Sequence, residues 1–166
     1  MRRTFPYLST ILALGGSPAC NSHQPPRSYE QATEAAATRP IPIDATYSGI
    51  DEPLRILVRT QREWEDLWSR LAASRIPRPS PAPVDFSEEV VVVAAMGTRP
   101  TGGHAIRIDS VRYSKDTLWV EVTSVVPGPM CVTTQALTAP VAAVAVERRP
   151  NVEGRFIDRE EIRTCE

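Results

Sequence analysis

Val90-Val91-Val92-Val93-Ala94-Ala95-Met96, then Gly97-Thr98-Arg99-Pro100-Thr101-Gly102-Gly103-His104, then Ala105-Ile106-Arg107-Ile108-Asp109, is the stretch whose reading decides the fold. The first run is wholly apolar and rich in β-branched side chains, which predicts a strand buried on both faces. From Ala105 onward apolar and polar residues alternate, so that strand should turn one side to a core and the other to water. Between them, three glycines free to adopt positive φ and a proline of fixed φ predict the long, stiff tip of a hairpin. Arg99, Pro100, Thr101, Gly102, Gly103 and His104 are accordingly the expected partner-binding residues.

Toward the C-terminus, Ile106 and Ile108 alternate in one phase and Val111 and Tyr113 in the other, so a β-bulge is expected near Asp109-Ser110. Ser114-Lys115-Asp116 reads as a turn, and Leu118, Val120 and Val122 as the core face of the returning antiparallel strand. Val126 to Cys131 is a constrained Pro/Gly loop, and Val132 to Leu137 reads as another strand or an irregular edge. Pro140 to Val146 is an apolar strand whose small residues let a bulky face approach. Glu147 to Glu166 is a charged tail in which Phe156 and Ile157 are the candidate anchors.

Toward the N-terminus, Pro77 to Pro83 has proline at every second position, which removes donors and favours a stiff extended crossover. Before it, Trp64, Leu67, Trp68 and Leu71 recur at helical spacing, and Thr60 with Glu63 forms a capping-box pattern. Leu54 to Arg59 reads as a strand, and Tyr47 to Ile50 as a short one. The sum is an α+β fold, mainly an antiparallel β sheet or sandwich with one amphipathic helix packed on it, over residues 44–166.

Met1-Arg2-Arg3 and the apolar run Tyr7 to Leu14, followed by small residues, read as an export signal over residues 1–19. Ala19-Cys20 resembles a bacterial lipobox, so Cys20 is the expected lipidation site. Residues 20–43 are polar, Ala-rich and Pro-punctuated, with too few apolar groups to offset ordering, and read as a disordered tether; His23 within it is expected to be solvated. With Cys20 consumed, Cys131 and Cys165 form an even pair, read as a structural disulfide in an oxidising compartment in preference to a metal site. The expected location is the cell envelope, facing the periplasm or exterior, with membrane contact through the lipid anchor only. At 166 residues one domain is expected, and a formal net charge of −1 gives no electrostatic case for nucleic acid.

The capped Trp helix in Arg59 to Trp68, Val84-Asp85-Phe86, the valine strand, the Gly97 to Gly103 loop, and Pro127 to Cys131 leading through Thr134 to Pro140 resemble, in that order, the C-terminal domain family of PrcB. The resemblance covers roughly Gly49 to Val146. It implies a subunit that associates with and stabilises a bacterial surface protease complex, and so an exported protein as partner, with a protease as the candidate. His104 departs from the pattern, standing where an aromatic residue such as Tyr is common.

Catalysis needs a placed acid, base or nucleophile, and the chain offers few. Ser110, His104 and Asp109 lack a nucleophile elbow, and neighbours on one strand point to opposite faces. His104, Cys131 and Cys165 make too few ligands for a zinc site, Glu88-Glu89 reads as a solvated turn, and no nucleotide fingerprint is present. No enzyme activity, no cofactor and no metal is therefore expected. The sequence favours a non-catalytic envelope protein-binding module; a protease-inhibitor-like protein presenting the rigid loop, or a small-molecule or cell-wall binder, are the alternatives.

Overall fold

The computed structural model describes Tyr29 and residues 34–73 and 75–165. The expected export signal, Cys20 and His23 lie outside these. The elements are β1 (Glu34–Ala35), β2 (Thr38–Pro40), β3 (Leu54–Val58), α1 (Gln61–Leu71), β4 (Glu89–Ala95), β5 (Ala105–Ser114), β6 (Thr117–Pro127), β7 (Val141–Glu147) and β8 (Glu153–Arg163). They form two four-stranded sheets, ordered β1-β5-β6-β8 and β2-β7-β4-β3. The α+β, mainly antiparallel architecture follows the sequence reading.

β4 is where the layers meet. Val91, Val93 and Ala95 face one core with Trp64, Trp68, Val141, Ala143 and Ala145. Val90, Val92 and Ala94 face a second core with Val111, Leu118, Val120 and Val122. Successive side chains on a strand alternate in direction, so only a strand sandwiched between two apolar layers can carry such a run. The order of layers is thus helix, sheet, sheet.

That placement corrects the expected hairpin. Both edges of β4 are occupied, by β3 along Leu54 to Val58 and by β7 along Val141 to Glu147. No edge remains for β5, which pairs instead with β6 in the other sheet. The loop between β4 and β5 is a crossover between sheets. The bulge appears where expected, as a register shift between Ile108 and Ser110, and the β5–β6 turn closes through Lys115 at φ 51°.

Part of the stretch expected to be a disordered tether is strand, and so is most of the charged tail, for which no element was expected. Within the expected tether, β1 pairs antiparallel with β5 and β2 with β7, and Ile41 is buried after them. Backbone pairing holds these short pieces, which is why their weak apolar content did not announce them. The charged tail forms β8, parallel to β6 over Thr117↔Glu153 to Pro127↔Arg163. Of the two readings of Val132 to Leu137 the irregular one holds, and its continuation makes isolated bridges, Arg99↔Thr138 and Tyr47↔Ala139.

α1 is fixed at its start and along one face. Thr60 accepts from the Glu63 backbone N–H at 3.2 Å, while the Glu63 carboxylate accepts from the backbone N–H of Thr60 and of Arg59. These bonds to backbone N–H, that of Arg59 foremost, hold the Glu63 carboxyl below its usual range. Trp64 and Trp68 meet edge to face at 5.3 Å. Their indole N–H groups donate to Ala82 O at 3.0 Å and Pro79 O at 2.8 Å. Prolines have lost a donor but keep the carbonyl, so the proline-rich strap is suited to receiving indoles. Thr60→Ala is expected to lower the unfolding free energy by about 1 kcal/mol. Urea denaturation checks this, and an unchanged midpoint would show that the cap contributes nothing.

Candidate functional site

One end of the molecule is built by four connecting segments: residues 42–53 before β3, residues 96–104 after β4, residues 128–140 before β7, and the chain beyond β8. β4 ends opposite the start of both β3 and β7, and β6 and β8 run in parallel to the same end, so the topology gathers these segments.

The expected tip is strapped into this end and does not project. Arg99 and Thr138 exchange backbone bonds of 2.7 and 3.0 Å, and Gly102 N–H donates to Thr134 O at 2.9 Å. Thr98 N–H donates to Asp51 O at 2.9 Å, and the Arg99 guanidinium turns back to Met96 O at 2.8 Å. Thr138 Oγ1 reaches Thr101 O at 2.9 Å. Two glycines are required by contact: a Cβ on Gly97, at φ +75°, would lie 2.6 Å from Asp51 O, and one on Gly102 would lie 2.3 Å from Thr134 Oγ1. Of the six expected contact residues, Pro100 is exposed, Gly102 is buried, and Arg99, Thr101, Gly103 and His104 are half-buried. The reason is non-local: the loop finds its hydrogen-bond partners in residues 134–138, Asp51 and Arg163, which local spacing does not reveal.

The segment it docks against carries three of the exposed large apolar side chains, with Ile76 and Ile162 among those exposed elsewhere. Met130 is 80% exposed, Val132 102% and Leu137 68%, which sets them apart from the buried core residues. Their backbone is held: Cys131 is disulfide-bonded to Cys165, as expected, and Gly128 N–H donates to Arg163 O at 2.9 Å. The Arg163 guanidinium donates to Gly103 O at 3.1 Å, tying the chain end to the expected tip. A fixed backbone that displays apolar side chains is suited to docking, because little conformational entropy remains to be lost on binding.

His104 is half-buried at the end of the crossover loop, directly before β5. Burial, and secondarily the Arg99 charge, lowers its pKa from the ordinary 6.5. His104 Nδ1 and Arg99 Nε are buried and make no hydrogen bond among the described residues. The unfolded chain therefore binds the imidazole proton more tightly than the folded one. The stability contributed by the neutral ring is full above pH 6.5 and is lost as pH falls from there toward the folded-state value. Thermal unfolding is expected to show a drop in midpoint between about pH 7.5 and 5.5 that His104→Asn reduces; equal drops in both proteins would contradict this.

The residues weighed for catalysis are committed elsewhere. Ser110 Oγ donates to Glu121 at 2.7 Å, and the Asp109 carboxylate accepts from Arg107 and Thr123. Glu89 is bound by the Arg39 guanidinium. None of these bonds reaches His104. The Met130, Val132 and Leu137 surface was missed by reading the sequence; the signal available was three large apolar residues in a loop flanked by Pro129, Pro140 and a cysteine.

Fold and site together define an α+β, mainly β, module with a pinned loop surface at one end. Residues 90–147 are similar to the PrcB C-terminal domain family and match the family model of that description. The match runs from Val90 in β4 to the end of β7, taking in two strands of each sheet and the crossover loop, while β1, β2, β3, β8 and the tryptophan helix lie outside it. No curated protein and no solved structure matches the chain.

Proposed function

We propose that this protein is a non-catalytic subunit-like module of the cell envelope that docks an exported partner, a component of a protease complex, through the loop end. The observation that carries the reading is the set of exposed Met130, Val132 and Leu137 side chains on a backbone held by a disulfide and by the crossover loop. The PrcB C-terminal match supports the partner class. In this reading Pro100 and Thr101 border the contact surface, while Arg99, Gly102, Gly103 and His104 hold its shape. Lipidation at Cys20 would place the module at a membrane and leave the loop end available to a neighbour.

The test is co-purification of the full chain from its native envelope, with the protease identified by mass spectrometry. Val132→Asp with Leu137→Asp is expected to weaken capture by about tenfold or more, since charges would enter a desolvated apolar contact. The same variants should leave unfolding unchanged, because both side chains are exposed. Undiminished capture of the same protease would refute the assigned surface. Loss of protease turnover on adding purified domain would instead favour the inhibitor reading.

A further inference from the structure

The turn joining β7 to β8 lies at the end of the molecule opposite the loop surface, next to the residue that follows β3. Arg59, Arg148, Arg149, Asn151 and Val152 line a cavity of about 250 Å³ there. The Arg59 guanidinium donates to Val152 O at 2.6 Å and Leu57 O at 3.4 Å. Arg148 Nη1 donates to Phe86 O at 2.7 Å and Arg59 O at 3.1 Å. Carbonyls are neutral acceptors, so these bonds fix the orientation of both guanidinium groups without cancelling their charge. Among the described residues no carboxylate pairs directly with either group. Glu63, whose charge feels Arg59, accepts its hydrogen bonds from the backbone N–H of Arg59 and Thr60. Arg149, which stacks on the Tyr113 ring at 3.9 Å and pairs with Glu34, adds a third guanidinium to the lining.

We propose that this cavity is an oxyanion site that binds a phosphate group. Two oriented cations whose remaining N–H groups find no acceptor among the described residues call for a multivalent anion. A carboxylate is planar and is satisfied by one bidentate arginine, whereas a tetrahedral phosphate presents oxygens on several sides at once. The phosphate belongs either to a small soluble ligand or to a phospholipid headgroup, and one experiment with two arms separates these.

In the first arm, thermal unfolding of the full chain is followed in inorganic phosphate and in sodium chloride of equal ionic strength. In the second, the full chain is sedimented with phosphatidylglycerol vesicles and with phosphatidylcholine vesicles. A midpoint raised by phosphate supports a soluble ligand, and capture by phosphatidylglycerol alone supports a headgroup. In either arm Arg148→Gln is expected to weaken the effect by about tenfold or more, the usual scale for losing a charge-assisted hydrogen bond. Arg148→Lys keeps the charge and a donor for the two carbonyls, so it guards against misfolding, and its binding should still be weaker than that of the native chain. Arg62→Gln, on the exposed part of α1, should leave binding intact. Failure of both arms, or equal losses from Arg62→Gln and Arg148→Gln, would overturn the site.

Discussion

Replacing Trp64 by alanine is expected to lower the unfolding free energy by about 3–5 kcal/mol, the range for deleting a large aromatic from a close-packed core. Trp64 is fully buried and stands at the junction of helix, sheet and proline strap. Its loss opens the core that it shares with Val91, Val93 and the small β7 residues and removes the edge-to-face partner of Trp68. It also leaves Ala82 O without the indole donor, so the strap loses an attachment. Trp64→Phe restores most of the volume without the N–H, and should fall between the two. Chemical denaturation of the three proteins reads this directly. A loss below about 1 kcal/mol for Trp64→Ala would mean that the helix contributes little to the fold.

Opening the disulfide is expected to have the second-largest effect. Cys131 and Cys165 are 34 residues apart, and closing a loop of that length removes about 3–4 kcal/mol of chain entropy from the unfolded state. Cys131→Ser should lower stability by that order and abolish its sensitivity to reductant. The effect on docking should be larger than the effect on the core. β6 and β8 remain paired without the bridge, whereas Met130 and Val132 sit on the residues that the bridge holds. Reduced protein that keeps its sheets by circular dichroism but captures partner about tenfold less well would separate these roles. Equal capture before and after reduction would show that the loop needs no staple.

The residues that reported their own structure are those whose pattern is local. The Thr60–Glu63 box and the 64, 67, 68, 71 spacing specify α1, because capping bonds and an apolar stripe depend on neighbours within a few turns. The phase change between Ile108 and Val111 specifies the bulge for the same reason. Pairing partners are another matter. Val90 to Ala95 say that both faces are covered, but nothing in them says that β3 and β7 take both edges and send β5 to a second sheet. β8 pairs with β6 through its backbone while most of its side chains stay exposed, so alternation gives almost no sign of it. β1 and β2 are shorter still, and their ladder bonds are invisible to hydrophobic pattern.

The candidate site divides along the same line. Its glycines and prolines marked residues 97–104 as irregular and rigid, which they are. That Arg99 pairs with Thr138 and Gly102 with Thr134 is a tertiary fact, and it moves the exposed surface from the expected tip to the neighbouring Met130, Val132 and Leu137. The cysteine pairing was legible by arithmetic alone, since two thiols remain once Cys20 is set aside.

Site-specific photo-crosslinking in the native envelope tests the central claim most directly. A photoreactive side chain at Val132 or Leu137 should form a covalent adduct with a protease-complex component, and one at Lys115, on the exposed β5–β6 turn at the other end, should not. Adducts that form at Lys115 and are absent from Val132 and Leu137 would contradict the account.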